Sequence, residues 1–189
     1  MTKFESALKK YLDIFASQEM YFVNDLKNLE LFQKTPGNKD AVDIRMKVSA
    51  VNDTEIGNKG ILDNVVNHIH GLQIDERLKK DDLTLVEDIA NFSVGAAKQH
   101  LLHFASVYCN FHKPEIYPIY SDQYLDFYKR YITENKLPLD PSKLNTYDVF
   151  TKALNDLVQR LGLIGKMNYL HLRKFAWLYA DHVVKEASA

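Results

Sequence analysis

The residues that interrupt regular backbone are few in this chain and sit in a handful of places, which limits its architecture more than any other feature. Of 189 residues, 7 are glycine and 5 are proline. Thr35-Pro36-Gly37-Asn38 forms one strong breaker, Pro114 and Pro118 bracket a second, and Pro138 with Pro141 marks a third. The intervals between them are long enough for helices, and turn signals are too sparse for a series of short strands.

The apolar pattern in those intervals agrees. Phe4, Ala7, Leu8, Tyr11, Leu12 and Phe15 follow the spacing of one face of an amphipathic helix. A second apolar stretch runs from Met20 to Phe32. Over Lys39 to Val51 the spacing of Val42, Arg45, Val48 and Val51 predicts a helix, although so many β-branched residues also suit a strand. Ile61, Leu62, Val65, Val66 and Ile69 predict another, with Gly71 at its C-terminal cap. A charged stretch, Gln73 to Asp82, leads to the short apolar patch Leu83 to Phe92. Ser93 then reads as the N-cap of a helix through Val94, Ala97, Leu101, Phe104, Ala105 and Tyr108, the clearest internal stripe. His112 to Ser121 cannot be regular helix, because its prolines remove donors and restrict the residues before them. Further helices are expected around Asp122 to Ile132, from Thr146 to Leu161 with Gly162 closing it, and from Tyr169 to Val183. With no repeat and no linker, the expectation is a single all-α compact domain of seven to nine helices spanning residues 1–189.

Composition narrows the class of function. Hydrophobic residues at 46% and charged residues at 26% are those of a folded globular chain. The single cysteine, Cys109, cannot close an intramolecular disulfide, which suits a reducing compartment. The first fifteen residues have no signal-peptide core, and no apolar run reaches the roughly 20 residues that span a bilayer. A soluble cytoplasmic protein without membrane association is expected. Lysine and arginine total 24 against 25 acidic residues, a net charge of −1 that argues against a dedicated non-specific nucleic-acid binder.

Several groupings suggest chemistry. His100 and His103, three apart on the expected central helix, share a face, whereas His68 and His70 do not; neither pair makes a metal site, and no metal or cofactor is expected. Cys109 has His112 three residues on, the spacing of a thiolate activated by an imidazole, but core packing is the simpler role for a cysteine flanked by Tyr108 and Phe111. The stiff, aromatic loop Ile116-Tyr117-Pro118-Ile119-Tyr120-Ser121-Asp122 either presents Ser121 or Asp122 to a ligand or plugs the core with Tyr117 and Tyr120 and caps the next helix. Lys9-Lys10, Lys79-Lys80 and Lys129-Arg130 are short basic pairs of the kind usually found on solvated surface.

Val94-Gly95-Ala96-Ala97-Lys98, followed by His112-Lys113-Pro114-Glu115-Ile116-Tyr117-Pro118-Ile119-Tyr120-Ser121-Asp122, resembles the helix-hairpin-helix DNA glycosylase superfamily, and Leu172 to Tyr179 is similar to the final helix of its small relatives. The resemblance covers about 40 residues. It implies a glycosylase-like all-α fold in which Lys98 or a water attacks the sugar carbon of a flipped nucleotide while Asp122 stabilises the developing positive charge. Gly95 would serve the phosphate backbone, with Ser121, Tyr117, Tyr120 and His112 lining the binding surface. One hairpin glycine stands where the superfamily has two, and Ser121 takes the position of the acid, with Asp122 one residue beyond. A non-catalytic helical binding module, with DNA or a protein as partner, is therefore the favoured expectation; an active glycosylase or lyase, or an unrelated all-α enzyme or interaction protein, are the alternatives.

Overall fold

The computed structural model describes residues 23–52, 56 and 59–176. The helix expected over residues 4–15 and the part of the last helix beyond residue 176 lie outside these. The described chain is mostly helical, with one two-stranded sheet. It falls into two compact units, residues 24–120 and a second unit whose described part is residue 23 with residues 121–176, and each is taken by itself.

In the first unit, α1 (Val23–Lys34) ends at the Thr35-Pro36-Gly37-Asn38 breaker. Asp40 then caps α2 (Ala41–Val51), its carboxylate accepting from the Val42 N–H at 2.7 Å. The buried face of α2 is Ile44, Lys47, Val48 and Val51, an i, i+3, i+4, i+7 stripe. Val42 is 64% exposed and Arg45 faces Asp63 on the surface, so the every-third-residue reading was displaced around the helix. α3 (Lys59–Leu72) runs through Gly71 and stops at Gln73, which takes the left-handed conformation (φ 51°) expected of Gly71. The charged stretch that follows holds the short α4 (Asp75–Lys79), and α5 (Leu85–Ala90) carries the apolar patch.

The largest correction comes next. Residues 94–101, expected as the first turns of a long helix, form instead most of a β-hairpin: β1 (Asn91–Val94) pairs antiparallel with β2 (Ala97–His100), Val94 opposite Ala97 and Asn91 opposite His100. Gly95 and Ala96 make the two-residue turn, and Gly95 has φ +60°, the left-handed first position that a type II′ hairpin reserves for glycine. Ser93 therefore sits in a strand opposite Lys98 and caps nothing. The helix proper, α6 (Leu102–His112), begins eight residues late and is buried along almost its whole length. Its polar residues His103, Ser106 and Asn110 share a side. The His103 ring, through Nδ1, hydrogen-bonds the Tyr120 carbonyl at 2.6 Å, the Ser106 hydroxyl accepts from the Tyr120 N–H at 2.9 Å, and the Asn110 amide donates to the Tyr117 carbonyl at 2.7 Å. These three bonds fasten the proline-stiffened loop 113–120 along α6. Buried loop backbone needs such partners.

In the second unit, Ser121 precedes a single 3-10 turn (Asp122–Tyr124) that leads into α7 (Leu125–Glu134). Another 3-10 turn, Pro141–Lys143, is capped by Asp140 and precedes α8 (Tyr147–Arg160). Gly162, at φ +66°, ends α8: its N–H reaches the Gln159 carbonyl and the Leu163 N–H reaches that of Val158, a Schellman closure. α7 and α8 pack through Tyr128 and Phe150, edge to face with centroids 5.2 Å apart, and the Tyr131 hydroxyl donates to Asp156. Residues 169–176 are helical, with Tyr169 donating to Asn155.

Candidate functional site

The breaker after α1 is organised around a buried cation. Lys47 has no measurable exposure, although it lies on a helix among Ile44, Val48 and Val51. Its Nζ donates to the carbonyls of Gly37 (2.7 Å) and Thr35 (3.1 Å) and to Asn38 Oδ1 (2.7 Å). Three acceptors for three ammonium hydrogens satisfy the group as a cation. The rings of Phe32 and Tyr108 lie 5.7 and 5.9 Å from Nζ and add cation–π attraction. Burial pulls the Lys47 pKa down to about 8 while Asp75 and Asp43 pull it back up, so the amine is charged at neutral pH.

Asn38 joins this cation to the rest of the unit. Its Oδ1 accepts from both Lys47 and the Tyr108 hydroxyl (2.6 Å), while its backbone N–H and Nδ2 donate to the Asp75 carboxylate at 3.0 and 2.8 Å. A turn, two helices and the start of α4 are thereby held in one network, with the Asp75 charge facing the ammonium through a single amide. Nothing in the composition of Thr35-Pro36-Gly37-Asn38 announced this. The detectable signal was a lysine at the i+3 position of a stripe otherwise made of Ile44, Val48 and Val51.

Beside the network lies a cleft of about 380 Å³ lined by Pro36, Gly37, Lys39, Asp75, Glu76, Leu78, Lys79, His112 and Lys113. His112, the last residue of α6, packs its ring edge-on against Phe32 (4.8 Å) and Tyr108 (5.3 Å). Its Nε2 is buried without a hydrogen-bond partner. Burial, with the Lys47 charge adding to it and Asp75 opposing, pushes its pKa down to about 3, so the imidazole is neutral. Around the cleft, Lys79 pairs with Glu76 at 2.7 Å and Lys113 pairs with Asp81, both on the surface; Lys39 has no ion-pair partner among the described residues.

Other groups singled out in the sequence have structural surroundings. Tyr117 and Tyr120 are buried in the core of the first unit. The Cys109 thiol is wholly buried and shifted well above its usual range, and His112 is held neutral, so no thiolate–imidazolium pair forms. His100 ends β2 while His103 lies on α6, so they do not share a helical face. His100 meets Glu87 at 3.1 Å, and His68 and His70 direct Nε2 at the carbonyls of Asp88 and Lys39. Among the described residues no three His, Cys, Asp or Glu side chains are gathered as metal ligands. Lys98 and Gly95 are exposed on the hairpin of the first unit; in the second, Asp122 is exposed at the first position of its 3-10 turn and Ser121 is buried just before it, its side chain making no cap bond. No helix among the described residues is long and apolar enough to cross a membrane.

No solved structure matches the chain. An uncharacterized protein of Haemophilus influenzae is 29% identical over 122 residues, which cover 63% of this chain and 57% of that protein's length. A family profile described as an N-terminal domain matches residues 7–116, a range that contains the Lys47 network and every residue lining the cleft. By that match, over more than half its length, the chain belongs to the HI_0787_N family.

Proposed function

We propose that the chain is a non-catalytic helical binding module and that the cleft between the Thr35–Asn38 turn, α4 and the end of α6 takes its ligand. The observation that carries this reading is His112: a buried ring nitrogen without a partner, in the wall of a concave site whose other wall is held by the Lys47–Asn38–Asp75 network. Leaving such a nitrogen unpaired costs on the order of 1–3 kcal/mol, a cost that a hydrogen-bonding ligand in the cleft would relieve. Clefts of this volume fall within the range of small-molecule sites. The test is a ligand-observed NMR screen of a fragment library against the wild type and Lys39→Trp, which places an indole at the exposed rim. Hits that vanish in the variant support the reading; an absence of hits, or hits indifferent to the indole, would refute it.

The catalytic alternative rests on the glycosylase resemblance and on Asp122 and Lys98. Its hairpin glycine, Gly95, lies in a β-turn rather than between helices. Base release from lesion-bearing duplexes that Asp122→Asn abolishes would support catalysis, and equal release by both proteins would remove it.

A further inference from the structure

Three lysines from three separate segments meet at the cleft: Lys39 after the Thr35–Asn38 turn, Lys79 at the end of α4, and Lys113 immediately beyond α6. Two carboxylates, Asp75 and Glu76, also line it, Asp81 pairs with Lys113 beside it, and the commitments of the three differ. Asp75 is bound by the Asn38 backbone and side-chain amides, and its charge faces the buried Lys47 ammonium across Asn38. It is therefore balanced inside the wall. Glu76 and Asp81 are engaged only in exposed pairs with Lys79 and Lys113, and such pairs contribute between zero and about 1 kcal/mol. An entering anion can displace them at little cost. Lys39 has no carboxylate within pairing distance among the described residues.

A cation would meet three ammonium groups at the rim, and a neutral molecule would leave Lys39 unanswered and the other two with only their exposed pairs. A single carboxylate supplies one charge and two oxygens. A phosphate monoester carries close to two negative charges and three acceptor oxygens, one for each lysine. Pro36 and Leu78 give apolar surface for its organic part, and the unprotonated His112 ring adds a polar group without adding charge. We propose that the cleft binds a small organic phosphate, the phosphate held by Lys39, Lys79 and Lys113 and the organic part lying toward His112 and Leu78. This inference rests on the binding-module reading and sharpens it.

The experiment is a calorimetric and thermal-shift titration of the full chain with glucose 6-phosphate, glucose and inorganic phosphate, at low and raised salt. Glucose 6-phosphate is expected to bind, to weaken as salt rises, and to bind more tightly than inorganic phosphate; glucose is expected not to bind. The double variant Lys39→Ser, Lys113→Ser should lose at least tenfold in affinity, about 1.4 kcal/mol, while Lys152→Ser, which removes an exposed lysine on α8, should lose nothing. Retained melting temperatures show that the variants fold. Equal binding of glucose and glucose 6-phosphate, or equal loss in Lys152→Ser, overturns the phosphate assignment. So does tight binding of a DNA duplex with none of the small phosphates. Fragment hits lost in Lys39→Trp, alongside no response to any phosphate, would overturn this inference and leave the cleft standing; silence in both experiments would overturn both.

Discussion

Because folding holds His112 unprotonated, acid should unfold this protein partly through one imidazole. Its pKa falls from 6.5 in the unfolded chain to about 3 in the folded one, chiefly through burial against Phe32 and Tyr108. Between those values the unfolded chain binds a proton that the folded chain refuses, so stability falls as pH drops from about 6.5 toward 3 and is unaffected by this group above 7. At pH 4.5 the unfolded imidazole is almost fully protonated and the folded one almost not at all, which costs about 2.5 kcal/mol relative to pH 7 at 1.36 kcal/mol per pKa unit. For a chain of this length that corresponds to a fall of roughly 5–10 °C in Tm. The comparison is His112→Phe, which keeps a ring against Phe32 and Tyr108 and removes the proton site. Circular-dichroism melts of both proteins from pH 7 to 4.5 should diverge by that amount, with the variant the less acid-sensitive. Carboxylate titrations are common to both proteins and cancel in the difference. Parallel curves would show that the ring takes up a proton within the fold and would refute the account of its burial.

Two further outcomes follow from the fold. Lys47→Met leaves the Gly37 and Thr35 carbonyls without their donor and removes one of two donors to Asn38 Oδ1, so chemical denaturation should show a loss of about 3–5 kcal/mol. Gly95→Ala meets no atom within 4 Å, so its cost is the left-handed backbone alone, about 1 kcal/mol, and it should appear as faster amide exchange confined to residues 91–100.

The parts of the fold legible in the sequence were those where side-chain period and chain punctuation agreed. α8 has a two-wide apolar face sustained over fourteen residues and Gly162 at the position a Schellman closure needs. The hairpin 91–100 failed because its strands are four residues each, and alternation over so short a span is indistinguishable from helical spacing once the stripe of α6 follows directly. Ser93 then supplied a plausible cap for a helix that was not there. The α2 face was misplaced for a different reason: a strict every-third-residue spacing took in Val42 and Arg45 and passed over Ile44 and Lys47, which the 3.6-residue period sets beside Val48 and Val51. The cleft was scarcely legible at all. Of its lining, His112 was singled out and Lys79 noted only as surface, while Lys39, Asp75 and Lys113 come together through contacts across thirty residues and more.

The Lys47 network spans the chain from Thr35 to Tyr108, and its bond between Asn38 and Tyr108 closes a separation of 70 residues. No fragment ending before α6 can contain it. During synthesis the ammonium has its turn carbonyls early, but Asn38 waits for Tyr108, and the cleft waits for His112 and Lys113 a few residues later. The lining of the cleft is therefore complete only near the end of the first unit, and a nascent chain halted within α6 would hold Lys39 and Lys79 without the wall that His112 and Lys113 supply.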